Sequence, residues 1–443
     1  MKNNPRILTA WTYYDWANSA HALVIVSSIF PVYFSAVALN DAGGPVIDFL
    51  GVSIKNSVLF SYTISAAFLF TALLSPICTA IADYSGRKKA FMKAFCYLGA
   101  ISCSLLFFFT RETTTFAVIC FWLSLIGWSG SIVFYNAYLS DIATEDQYDR
   151  VSARGFSMGY AGSVLLMLLN LLVILKRDWF GNISEGLASR IAFLTVGVWW
   201  IGFAQIPLSR LPDGIRKDHQ EGKNGGRSSY IFNGFRALQK VFGELKTQPL
   251  AQRFLLAFFV YNMGVQTVMY VAALFGSVEL KMAGDNLIVL ILLLQLVAIP
   301  GAYGFSWLSG RVGNIYALMV SIFIWIGICA GAYVVQTETQ FFMLASVVGL
   351  VMGGIQSLSR STYAKLIPAT TSGTASYFSF YDVMDKFSIV LGTLLYGLIE
   401  QLTGSMRNSV LALLVLFVAG LAMLARIPSQ KIYATPLPEA ELS

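Results

Sequence analysis

The chain has 443 residues, 56% of them hydrophobic and only 12% charged, with a net charge of +7. A soluble domain carries about 25% charged residues, so this composition excludes a water-facing globule of this length. Apolar runs long enough to cross a bilayer, about 20 residues each, must satisfy their backbone internally, and they are too long and continuous for barrel strands.

Twelve such runs predict an all-α integral membrane protein, with helices at about 11–38, 57–82, 90–110, 115–139, 155–175, 190–209, 252–276, 286–308, 315–335, 341–363, 376–399 and 408–425. They fall into two groups of six: an N-terminal bundle over 1–209, a polar connection over 210–250, and a C-terminal bundle with a short tail over 251–443. Helix 1 carries Asp15, Asn18 and His21, spaced three apart on one drifting face. Asp15 reads either as a cap or gate at the membrane interface or as part of a polar hot spot in the span with Asn18 and His21. His21 is the only histidine in a span, and it reads either as a proton switch or as a packing residue. No cleavable leader is expected, because the first run is too long and too polar at its start.

After helix 2 comes Asp83-Tyr84-Ser85-Gly86-Arg87-Lys88-Lys89. Gly86 allows a tight turn between antiparallel helices. Asp83 can face the positive N-terminal end of a neighbouring helix. Arg87 can fork onto a carboxylate, with Asp141 at the end of helix 4 as the candidate. These contacts form an expected gate; the plain alternative is a positively charged loop with no gating role. Helix 4 also carries Tyr135 and Asn136. Arg154 opens helix 5 as an expected latch with Asp141 or Asp146, in a network with Glu145, and Gly155, Gly159 and Gly162 then line that helix for close packing.

The connection over 210–250 is polar and basic. Within it Ile231, Phe232, Phe235, Leu238, Val241, Phe242 and Leu245 recur at helical spacing among Arg236, Lys240 and Lys246. This predicts an amphipathic helix, lying either on the membrane interface or against the base of the protein. Helix 7 places Tyr261, Asn262, Gln266 and Tyr270 along one polar stripe, and helices 8 and 10 add Gln295, Gln356 and Ser359. Such groups bind a polar ligand or bond helix to helix. The loop after helix 8, Gly310-Arg311-Val312-Gly313, is a degenerate counterpart of the first, with glycine in place of the acid.

Helix 11 holds Tyr381-Asp382-Val383-Met384-Asp385-Lys386. An ionisable group at mid-span costs about 2.5–3.5 kcal/mol and marks function by default. Asp382 and Lys386, four apart, share a face. They read as a substrate or proton site together with Asp385; the alternative is a self-neutralised packing pair. Roughly 22 of the Lys and Arg residues fall on the side of the chain ends and about 7 on the other, which predicts both termini in the cytoplasm. The five cysteines, Cys78, Cys96, Cys103, Cys120 and Cys329, lack metal spacing and read as small buried residues. Asn182-Ile183-Ser184 matches a glycosylation sequon, which chance supplies in a chain this long. Nothing resembles a nucleotide-binding loop, a metal cluster or a nucleophile with its base, so neither cofactor nor enzymatic activity is expected, and no nucleic-acid partner.

The loop after helix 2 is similar to the motif of the major facilitator superfamily, roughly Gly-x-x-x-Asp-Arg-x-Gly-Arg-Lys, and departs from it at Thr79 and Tyr84. Three longer blocks are more specific. Tyr14-Asp15-Trp16-Ala17-Asn18-Ser19-Ala20, the run from Phe134 to Ala143 leading on to Arg150–Gly155, and Gly353–Ser361 leading into Phe380-Tyr381-Asp382-Val383 and Lys386-Phe387 resemble the vacuole effluxer-like family of that superfamily. The resemblance implies the two-bundle transporter fold and a small-molecule cargo. Fungal members of that family are linked to export of amino acids from the vacuole. Asp15, Asn18, Asn136, Asp141, Arg154, Gln356, Asp382 and Lys386 match its motif positions.

The expected protein is therefore a twelve-helix secondary transporter, a monomer in a bacterial inner (plasma) membrane. It would move a small polar solute such as an amino acid by alternating access, with proton coupling. The expected substrate or proton site comprises Asp382, Asp385, Lys386, Asn18, His21, Asn262, Gln266, Tyr381, Gln356 and Asn136; the expected gate comprises Asp83, Gly86, Arg87, Asp141, Arg154 and Asp15. The alternatives are carriage of a larger amphiphile (a muropeptide, peptide, drug or lipid) and a receptor that kept the fold without transporting.

Overall fold

The computed structural model describes residues 2–40, 43–213, 239–368 and 373–428. Within them lie twelve long helices: α1 Pro5–Val37, α2 Asn56–Ser85, α3 Lys88–Leu105, α4 Thr114–Ile142, α5 Tyr148–Leu175 and α6 Glu185–Arg210, then α7 Pro249–Val278, α8 Gly284–Val312, α9 Asn314–Val334, α10 Glu338–Leu366, α11 Thr374–Thr403 and α12 Met406–Leu424. Eleven of the twelve are long and apolar enough to cross a membrane. The exception is α11, whose Asp382, Asp385 and Lys386 break its apolar character.

The sequence places most helix ends to within a few residues. The starts of α1 and α5 lie further out, because polar first turns extend both helices beyond their apolar spans. Asn4 caps α1, its side chain accepting from the Arg6 amide, with Pro5 at the first helical position, where a missing N–H costs nothing. Two features carry no signal in the apolar pattern. His21–Ser28 within α1 is a π-helical stretch, a widening that tends to occur at functional sites. Between α1 and α2, β1 Val46–Phe49 and β2 Val52–Lys55 pair antiparallel with Phe49 opposite Val52. Leu50 and Gly51 turn between them with φ of 53° and 82°, as a two-residue hairpin requires.

Helices α1–α6 pack together as one bundle and α7–α12 as another. The bundles meet along α2–α11, α4–α11, α5–α8 and α5–α10. An even number of spans brings both ends of the described residues to one face, the terminal face. Within the first bundle α3 and α4 touch backbone to backbone at Gly99 and Gly127: a Cβ added to Gly127 would lie 2.2 Å from the Gly99 amide nitrogen. Gly159 and Gly162 likewise bring α5 onto Ser19 and Trp16 of α1.

Of the predicted amphipathic helix, Ile231, Phe232, Phe235, Arg236 and Leu238 lie outside the described residues. The rest is helical over 239–246 and rests against the protein's own base. Val241 and Leu245 are buried in the core, Phe242 stacks on Phe380 of α11, and the Tyr377 hydroxyl donates to Glu244 at 2.9 Å. Four cysteines are buried, Cys78 is half-buried, and all five thiols are free.

Overpacking a tight contact costs about 1–3 kcal/mol. Gly127→Ala should therefore lower the thermal midpoint of the purified protein by several degrees. Gly202→Ala, where nothing lies within 4 Å of the added carbon, should leave it unchanged.

Candidate functional site

A cavity of about 1460 Å³, counting its open mouth, lies between the bundles. From the first bundle it is lined by Asp15, Asn18, Trp128 and Asn136; from the second by Asn262, Gln266, Gln356, Arg360, Tyr381, Asp382, Asp385 and Lys386. The polar stripe of α7 and the charged turn of α11 thus face one space.

The α11 charges form a triad. Lys386 Nζ lies 2.8 Å from an Asp382 oxygen and 3.2 Å from an Asp385 oxygen. Asp382 also accepts from Ser75 of α2 at 3.4 Å, and the ammonium sits over the Phe68 ring of the same helix. Asp385 accepts from the side-chain amides of Asn262 at 2.9 Å and Gln266 at 3.1 Å. Two carboxylates share one ammonium, so the triad carries one formal negative charge in excess. Asp385, at 21% side-chain exposure against 5% for Asp382, is the carboxylate more open to the cavity.

The cavity floor is a second charged cluster, built around Arg360 of α10. Arg360 is 2% exposed. Nε donates to Ser152 Oγ at 2.9 Å and Nη2 to the Ser152 carbonyl at 2.8 Å. Nη1 reaches Asn136 Oδ1 at 3.2 Å and Asp15 Oδ2 at 3.4 Å. The rings of Trp11, Tyr135 and Phe156 surround it, an arrangement suited to a delocalised cation. Tyr135 donates to the same Asp15 oxygen at 2.6 Å. Gly155 leaves room for this cluster: a Cβ there would stand 2.7 Å from Asp15 Oδ2 and 2.9 Å from Arg360 Nη2.

From the floor to the terminal face, contacts between the bundles continue in two rows. In one, Asp83 at the end of α2 accepts from the Ser376 amide and hydroxyl, both at 2.7 Å, so it does face the N-terminus of a neighbouring helix, α11. Gly86 turns the chain beside it with φ 66°. In the other, Asp149 of α5 accepts from Ser309 of α8 at 2.9 Å, Asn314 of α9 at 2.8 Å and Lys365 of α10 at 2.8 Å. Among the described residues no ion pair joins the bundles at the opposite face; Arg177–Glu185 and Arg407–Glu279 each stay within one bundle.

Four expectations change. Lys88, not Arg87, pairs with Asp141, at 2.6 Å, and it also donates to Thr374 of α11. Arg87 is exposed, because the left-handed turn at Gly86 sends it outward. Arg154 is also exposed and makes no ion pair among the described residues; the α5 charge that pairs with the second bundle is Asp149, with Lys365. Asp15 is no interfacial cap, since it lies buried at the cavity floor. His21 does not line the cavity. Steps of three lag the helical turn by about 60° each, so its ring has rotated into the bundle, between Trp128 and Trp200 with Ser124 at 3.1 Å. Arg360, Lys365, Asp149 and Lys88 join the site beyond the residues expected from the sequence. The signal for Arg360 was present: a cation within the apolar part of helix 10, flanked by Ser357, Ser359 and Ser361.

The profile of the family described as "Vacuole effluxer Atg22 like" matches residues 3–434. The MFS-type transporter YxiO of Bacillus subtilis is 33% identical over 432 residues, covering 97% of this chain and 96% of that protein. Autophagy-related protein 22 of Yarrowia lipolytica is 28% identical over 307 residues, covering 64% of this chain and 51% of its own. Among solved structures the fold is similar to the fucose transporter FucP in its outward conformation, with a TM-score of 0.69, 13% identity and coverage of 96% and 99%. It is similar also to the human organic anion transporter MFSD10, with a TM-score of 0.70, 13% identity and coverage of 96% and 100%.

Removing one partner of a buried pair leaves an uncompensated charge, at about 3–5 kcal/mol. Lys365 and Asp149 are 7% and 12% exposed, so Asp149→Asn should loosen the terminal face. A cysteine placed at the fully buried Ser357 should then label faster with an aqueous maleimide applied from that face. Unchanged labelling would remove Asp149 from the gate.

Proposed function

The chain belongs to the vacuole effluxer-like family of major facilitator transporters, and from that footing we propose that it carries a small polar solute, an amino acid or a similar zwitterion, by rocking its two bundles about the central cavity. The observation that carries this reading is the α11 triad. Burial of three ionised groups in a span is costly, and their excess negative charge sits in a cavity that both bundles line. Such a charge attracts the ammonium of a zwitterion or a proton. Asp385 is the acceptor of that charge, and Asp382 holds Lys386 in place. A proton taken up in one state and released in the other would couple a gradient to the cargo.

The Lys and Arg bias supports placing the terminal face, with both chain ends, in the cytoplasm. The cavity would then address the outside, with the Asp83, Asp141 and Asp149 contacts holding the cytoplasmic side shut. Similarity to a Bacillus transporter supports a bacterial plasma membrane. The working division is 1–209, 210–250 and 251–443, in a monomer. A second reading, a larger amphiphile as cargo, draws on the apolar wall of the same cavity, where Trp128, Phe156, Phe258, Met269 and Met352 stand.

A ligand at about 100 times its dissociation constant stabilises a protein by roughly 2.7 kcal/mol. Purified protein should therefore shift its thermal midpoint with zwitterionic amino acids, and Asp382→Asn and Lys386→Met should abolish both the shift and flux into proteoliposomes. Amino-acid transport that survives both substitutions would remove the basis of this reading. A shift produced by lysolipids or muropeptides alone would favour the amphiphile.

A further inference from the structure

Arg360 is under-used as a binder of carboxylate. A guanidinium presents five donors in a planar fork and binds carboxylates most strongly through two parallel bonds. Here no carboxylate forks onto it. Asp15 meets it through one oxygen at 3.4 Å, and that oxygen already accepts from Tyr135 at 2.6 Å. The shorter bonds of Arg360 go to uncharged oxygens of Ser152. One turn along α1 from Asp15, the Asn18 side chain is 2% exposed, and its Nδ2 donor has no partner. Asn18 and Arg360 line the same cavity. Leaving a buried donor unpaired costs about 1–3 kcal/mol, so an orphan amide in the same cavity as a guanidinium onto which no carboxylate forks calls for acceptor oxygens.

We propose that Arg360 and Asn18 form a carboxylate-binding subsite at the floor of the cavity. The inference rests on the transport reading above and extends it: Asp385 receives the positive end of the solute, and Arg360 the negative end. A carboxylate seated there takes the place of Asp15 and Asn136 at Nη1. An inter-bundle contact, α10 to α1 and α4, is thereby exchanged for a contact with the solute, so filling the subsite loosens the seam beneath it. Arg360 thus serves as a specificity residue and as the point where occupancy is felt by the gate.

The test uses the purified full-length protein and matched sets of probes at constant ionic strength. Alanine, propionate and ethylamine form one set; leucine, 4-methylpentanoate and 3-methylbutylamine form the other. Thermal-shift titrations should show the carboxylate-bearing probes stabilising the wild type. Arg360→Lys, which keeps the charge and loses the fork, should weaken their apparent affinity by about tenfold or more, and Arg360→Gln further. Asp15→Asn removes the competing carboxylate and should tighten them, a gain that a purely structural Arg360 would not produce. If the Arg360 variants do not fold, Asn18→Ala and Asp15→Asn decide, with weakening expected from the first and tightening from the second. Equal affinity in wild type and Arg360→Lys would overturn the subsite, as would a wild type that answers to no carboxylate probe. A response to amines alone would also overturn it, while leaving the Asp385 reading in place. Propionate and 4-methylpentanoate binding through Arg360, with no advantage for alanine or leucine, would keep the subsite and sink the zwitterion reading.

Discussion

A charge held away from water must find its counter-charge inside the protein, and in this chain that constraint decides where the two bundles touch. Asp15 needs Arg360, Asp149 needs Lys365, and Asp83 needs the amides that open α11. Each of these partners lies on the other bundle, so the low dielectric that makes the groups expensive is also what ties the halves together at one face. The cavity remains where such ties end. Above the floor, the α11 triad satisfies its charges mostly within its own helix and with α7, and it leaves one carboxylate in surplus.

This division separates two duties that the same residue types perform. Contacts that cross the seam join the bundles, and contacts that stay within one bundle leave their groups facing the cavity. The floor cluster belongs to both classes. Arg360 reaches across the seam to Asp15, Asn136 and Ser152 and also faces the cavity. A solute shifts a conformational equilibrium only by favouring one arrangement over another, and a residue that reaches both seam and cavity is where such a preference can arise.

What could be read from the sequence follows the range of the interaction. The twelve spans were legible because hydrophobicity is a local property of about 20 residues. The Asp382–Lys386 pair was legible because four residues make one helical turn. The Gly86 turn and the facing of Asp83 onto a helix start were legible because a tight loop restricts its own geometry. Arg360 with Asp15 was not, since 345 positions separate them and no local pattern records which helices will be neighbours. The exchange of Lys88 for Arg87 at Asp141 turns on one φ angle, and the turn of His21 away from the cavity on an accumulated helical drift. The π-helical stretch and the hairpin have no signature in the apolar pattern.

The seam also has a direction. Three of its buried carboxylates, Asp15, Asp83 and Asp149, belong to the first bundle, and the groups that reach them across the seam, Arg360, the Ser376 amide, Asn314 and Lys365, belong to the second. Two copies of the first bundle placed face to face would oppose acid to acid, and two of the second would leave a guanidinium and an ammonium facing each other without counter-ions. Like charges brought together out of water are a strong bar to the wrong partner. The charge pattern of the seam thus favours the pairing of unlike halves over that of like ones.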